Sequence, residues 1–114
     1  MVDQKLEIEI QMLHQRICYA LADPTRILIL YHLAEGPRIV NELVDALQIP
    51  QSTVSRHLAV LRERNMVNTE RDGSTIRYAL ADKRIIDALD IMRGILATQL
   101  ANSLELAETL MEED

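Results

Sequence analysis

The segment Pro50-Gln51-Ser52-Thr53-Val54-Ser55-Arg56-His57-Leu58 holds the side chains best suited to chemistry in this chain. On a helix, Val54, Leu58 and Leu61 share one face. Ser52, Arg56 and Glu63 then point the other way, with Thr53 and Ser55 on the flanks. The start of that outer face carries hydroxyls, an amide and a guanidinium. An amide pairs with adenine, a guanidinium with guanine, and a hydroxyl with either base or phosphate. Side chains this small let a helix sink into the major groove, and N–H groups at a helix start can hold a phosphate. Glu63 confines base reading to the first two turns. The same residue types would also suit a solvated helix face with a Ser/Thr cap. His57 lies toward the inner flank, so it either contacts phosphate or braces the helix. Arg71 and Arg77 flank Gly73 and are placed to reach backbone or minor groove.

The elements that must position these groups follow from apolar spacing. Leu6, Ile10, Leu13, Ile17 and Leu21 predict a helix over 4–22. Asp23-Pro24 stops it and caps the next, which runs over 24–35 with Ile27, Leu28, Leu30, Tyr31 and Leu33. Gly36-Pro37 ends that helix, and a third spans 38–48 on Val40, Leu43, Val44 and Leu47. The break at Ile49-Pro50 is short enough for a helix-turn-helix over 38–65, with the outward-reading helix at 51–65. Two β-prone runs, Val67–Arg71 and Thr75–Leu80, flank Asp72-Gly73-Ser74 and predict a hairpin, the wing over 66–80. Residues 83–112 form one long helix with a stripe from Ile85 through Leu89, Met92, Leu96 and Leu100 to Leu110. Such a helix is about 45 Å long at about 1.5 Å per residue, and its stripe outruns what a core of this size can cover. Helices 1–22 and 83–112 are therefore the expected homodimer interface. The expected fold is mainly α, a five-helix winged helix-turn-helix within a single domain over 1–114.

Composition limits the alternatives. There is no Trp, no Phe and a single cysteine, Cys18, so an internal disulfide and a Cys-rich zinc module are excluded. No apolar run is long enough to span a membrane, and the N-terminus lacks the order of a signal peptide, so the expected location is the cytoplasm. The net charge is −6, but residues 50–78 carry five basic and three acidic side chains, and the blocks on either side are both acidic. The local field, not the total, sets attraction to DNA. The acidic total favours one alternative, a winged-helix protein-interaction module that does not bind DNA. An enzyme is not expected: no nucleophile–base pair is apparent, and three glycines cannot build a nucleotide cradle.

Three stretches together carry a resemblance: Ala20-Leu21-Ala22-Asp23-Pro24-Thr25-Arg26-Ile27, Gln51 through Arg62, and Val67 through Arg71-Asp72-Gly73 to Tyr78-Ala79-Leu80. Over residues 16–82 the chain resembles the ArsR/SmtB family of bacterial transcriptional regulators. The resemblance implies a homodimeric winged-helix repressor of an inverted-repeat DNA operator, released by an inducer. It places base contact on Gln51, Ser52, Thr53, Ser55 and Arg56. Family members hold metals with cysteines near the start of helix 3, where this chain has Ile39-Val40-Asn41-Glu42-Leu43, or with Asp and His on helix 5, which here has Asp82, Asp87 and Asp90 but no histidine. Others sense oxidants with a cysteine pair on helices 2 and 5, which one cysteine cannot form. The usual metal sites are thus expected to be absent, and the cofactor and inducer are unknown. His14 and Cys18 are the remaining sensing candidates. They stand four apart on helix 1 and could offer two metal ligands or a disulfide across a dimer. Equally, Cys18 could be a small buried apolar residue and His14 a rim residue.

Overall fold

Pro24 disfavours helical backbone at the residue before it, so Asp23 is extended (φ −122°, ψ 127°) and the chain turns there. The structure, a computed structural model, describes residues 1–112. Before the turn lies α1 (Gln4–Leu13), which continues into a wider π-helical turn over His14–Cys18. That widening has no counterpart in the apolar spacing. After the turn lies α2 (Pro24–Ala34), with Pro24 in its first turn and the Asp23 carboxylate accepting from the Thr25 N–H at 2.7 Å.

The third helix, α3, starts at Val40 rather than 38 and ends at Leu47. Its start is displaced because Arg38 pairs through its backbone with Tyr78, N–H to carbonyl at 2.9 and 2.8 Å. Gln48 then takes a left-handed conformation (φ 55°), its N–H donating to the Val44 carbonyl at 2.8 Å. This sharp reversal lets α4 (Gln51–Glu63) begin after only three intervening residues. Asn65 (φ 60°) makes the corresponding turn out of α4.

The wing is β1 (Val67–Asp72) against β2 (Thr75–Leu80), antiparallel, in register from Val67 opposite Leu80 to Asp72 opposite Thr75. Asp72 is therefore paired, and the turn is Gly73-Ser74 alone. Gly73 takes φ +64° at the first turn position, where a side chain would be strained. The last element is α5 (Arg84–Glu112).

The chain forms two compact units, Met1–Lys83 and a second beginning at Arg84. Within the first, Ala20, Ile29, Leu30, Leu33, Leu43, Val54, Leu58, Leu61, Met66 and Val67 are buried. The buried face of α2 comprises Arg26, Ile29, Leu30 and Leu33, so Leu28, expected within the apolar set, is exposed. In the second unit Ile91, Met92, Ile95, Leu96 and Leu100 are 50–67 % exposed. Among the described residues no helix is long and apolar enough to cross a membrane.

Ile29 is fully buried. Its replacement by Ala leaves a cavity as well as losing transfer energy, and should cost about 2–5 kcal/mol in urea unfolding. A loss below about 1 kcal/mol would show that α2 is not the centre of the core.

Candidate nucleic-acid interface

Val54, Leu58 and Leu61 anchor α4 to the core, which leaves Gln51, Ser52, Ser55 and Arg56 exposed and Thr53 half-buried. Pro50 caps α4 without a side-chain acceptor, so the first-turn N–H groups receive no side-chain cap. Gln51 also lines a groove of about 360 Å³ with Asn41 of α3 and Ser74, Thr75 and Ile76 of the wing. The start of α4 and the tip of the wing thus border the same space.

The two wing arginines occupy opposite faces of the ribbon, because strand residues alternate and Arg71 pairs with Ile76 while Arg77 pairs with Glu70. Arg71 is exposed. Arg77 lies 3.8 Å from Asp72 and 4.0 Å from Glu42, with 43 % of its side chain exposed. Pairs this long and this wet are weak, about 0–1 kcal/mol each, so a phosphate can replace them at small cost. Glu42 also caps α3, its carboxylate accepting the Ile39 N–H at 3.0 Å.

His57 does not join the exposed set. It is buried, turned inward beside Leu58, and this removes it from the residues expected to touch DNA. Its Nδ1 meets Arg26 Nη1 at 3.2 Å and its Nε2 lies 4.0 Å from the Asp23 carboxylate. A guanidinium has no lone pair to offer, so Nδ1 is the acceptor and the ring proton sits on Nε2, facing Asp23. Arg26 is itself buried and gives Nε to the Ala20 carbonyl at 2.8 Å and Nη2 to the Tyr19 carbonyl at 2.9 Å.

A second arginine ties the far end of α4 to the same place. Arg64 Nη1 donates to the Gln15 carbonyl at 3.0 Å, and its guanidinium stands over the Tyr19 ring at 4.6 Å. Sequence spacing assigned neither arginine a role. Arg26 had a readable signal, since it shares the face of Ile29, Leu30 and Leu33 at helical intervals. Arg64 had none, because its partners lie about fifty residues away on α1's continuation.

His14 and Cys18 do come together, on the wall of an open cleft of about 500 Å³ with Gln15, Tyr19, Ala22 and Arg64. Cys18 is exposed, not a buried apolar residue.

The chain matches the model of the bacterial regulatory protein arsR family over residues 23–69, which spans the turn before α2 to the middle of β1. It is 37 % identical over 86 residues to a probable mercury resistance operon repressor of Streptomyces lividans, 75 % of this chain and 69 % of that one. The chain belongs to the arsR family. It is also 48 % identical over 66 residues to the transcriptional repressor SmtB of Mycobacterium tuberculosis, 58 % of this chain. The match spans about half the length of that relative. In fold it resembles the winged helix-turn-helix DNA-binding domain Mb0332 of Mycobacterium bovis, with a TM-score of 0.74 at 23 % identity, over 89 % of this chain and 93 % of that one.

The donor chemistry of this arsR-family chain does not fit a metal at either place where its relatives were expected to hold one. Near α3 there is no thiolate, and the Glu42 carboxylate is engaged by the Ile39 N–H. On α5 there is no histidine, and Asp90 is paired with Arg93 at 3.2 Å. Among the described residues no group of three or more His, Cys, Asp or Glu side chains is placed to share an ion.

The Thr25 N–H holds the Asp23 carboxyl below the usual carboxylate range, with His57 and Arg26 adding to it and partial burial opposing. A carboxyl whose folded pKa is depressed stabilises the fold above its unfolded pKa, and that contribution is lost as pH falls through the folded value. Wild type should therefore exceed Asp23→Asn in thermal midpoint at neutral pH, and the gap should close below about pH 4. A gap that widens on acidification would contradict this assignment.

Proposed function

We propose that the protein is a homodimeric repressor that reads an inverted-repeat DNA operator in the cytoplasm and is released by an inducer. Its base contacts are Gln51, Ser52, Thr53, Ser55 and Arg56. Arg71 and Arg77 approach the backbone or minor groove from the wing. The observation that carries this reading is the exposed amide–hydroxyl–guanidinium face on the first two turns of α4, beside the wing tip. The start of α4, which has no side-chain cap, suits a phosphate oxygen. The exchangeable pairs of Arg77 suit the same partner, and the net positive block over 50–78 supplies the local field in an otherwise acidic chain.

DNA selected by the protein from a random pool serves as the probe. Arg56→Ala should weaken binding to that DNA by about 1–3 kcal/mol and relax preference at one base position. Affinity should fall steeply with salt, as phosphate contacts require. Equal binding by Arg56→Ala and wild type would move the reading face elsewhere.

The second copy is needed by the exposed stripe of α5. Leu96→Glu with Leu100→Glu places two charges in that stripe, where both leucines are more than half exposed. In sedimentation this variant should be monomeric at concentrations where wild type is dimeric, and its binding to inverted-repeat DNA should drop with it. A dimer of undiminished stability would place the interface on another surface.

A further inference from the structure

We propose that Arg26 is a positioning residue for DNA readout, acting through His57 to set the roll of α4 against the end of the first helical segment. This inference rests on α4 being the reading helix. The apolar anchors Val54, Leu58 and Leu61 hold α4 against the core, but burial is non-directional and tolerates a small rotation of the helix about its axis. Reading bases does not. Side chains reach about 5–6 Å from a helix axis, so a roll of about 20° carries their tips about 2 Å, beyond hydrogen-bond tolerance. A directional contact must therefore fix the roll. His57 is the one buried polar side chain on α4, and it directly follows Arg56 in the reading face.

The contact it makes has the geometry to do this. The guanidinium is planar, permanently charged and rigid in the angles of its N–H groups. Two of those groups are fixed by the Ala20 and Tyr19 carbonyls at 2.8 and 2.9 Å, at the end of the helical segment, where the Tyr19 carbonyl also accepts the Ala22 N–H at 3.1 Å. The third is then aimed at His57 Nδ1, 3.2 Å away. Asp23 closes the arrangement on the other side of the ring at 4.0 Å. Arg64 adds a tether from the C-cap of α4 to Gln15 and the Tyr19 ring. The middle and the C-terminal end of α4 are thus both indexed to residues 15–20, and the outer face of its first two turns is left exposed.

The test compares affinity for pool-selected DNA with affinity for random DNA, in variants that keep the fold. His57→Leu keeps the burial and removes the acceptor; His57→Asn places an amide oxygen near the position of Nδ1; Arg26→Lys keeps the charge and loses the three-way geometry. His57→Leu and Arg26→Lys should each lower the selected-to-random ratio by about tenfold or more, with little change in the salt slope on random DNA. His57→Asn should recover most of the ratio, and the double variant His57→Leu/Arg26→Lys should be no worse than either single one. A merely structural role would lower the thermal midpoint and both affinities together, with the ratio kept. A ratio within about twofold of wild type in folded His57→Leu overturns the inference. Should His57→Leu not fold, Arg26→Lys is read by the same criterion. A wild type that selects no sequence overturns the reading of α4 and this inference with it; a selective wild type with unaffected variants overturns the inference alone.

Discussion

A guanidinium keeps its charge at any pH a protein meets, so burying one demands that its N–H groups find acceptors. Arg26 is buried and meets that demand with three groups drawn from two distant parts of the chain: the carbonyls that close the first helical segment and the imidazole of α4. Much of the arrangement around it follows. The chain must turn at Asp23-Pro24 so that α2 can present Arg26 back toward Tyr19 and Ala20. His57 must face inward so that the third N–H is matched. With His57 and Leu58 both inward, Ser55 and Arg56 are left on the outer side.

The wing is anchored at its base and loosely held beyond it. Val67 is buried in the core and Arg38 pairs with Tyr78 through its backbone, while the wing's charges meet in long, exposed pairs. Interactions of this kind set place without great strength. The contrast suits the proposed division of labour. The reading helix needs a fixed angle, since base edges are discriminated by hydrogen-bond geometry. A wing that touches backbone or minor groove needs charge within reach and tolerates adjustment.

The ligand sets expected of metal-binding relatives lack their thiolates and imidazoles at those places in this chain. Two of the carboxylates there are engaged: Glu42 caps α3 and neighbours Arg77, and Asp90 pairs with Arg93. His14 and Cys18 share a cleft with Tyr19 and Arg64, the side chains through which α4 is tied to the first helical segment. That cleft lies beside the Arg64 tether of α4.

The sequence by itself determined most of the element order. Apolar periodicity marked the five helices, Asp23-Pro24 and Gly36-Pro37 marked breaks, and Asp72-Gly73 marked the hairpin, because these signals act within a few residues. The outward face of α4 at Gln51, Ser52, Ser55 and Arg56 was legible for the same reason. The tertiary structure decided whatever depends on residues far apart in the chain. Backbone pairing with Tyr78 shortened α3 at its start, and the π-helical turn at His14–Cys18 left no trace in the spacing. His57 stood on a boundary that helical angles alone could not resolve, and Arg26, thirty-one residues away, resolved it. Local patterns fix which side of a helix is apolar. Whether a polar residue at the edge of that side turns in or out depends on whether a partner waits there, and only the folded chain supplies one.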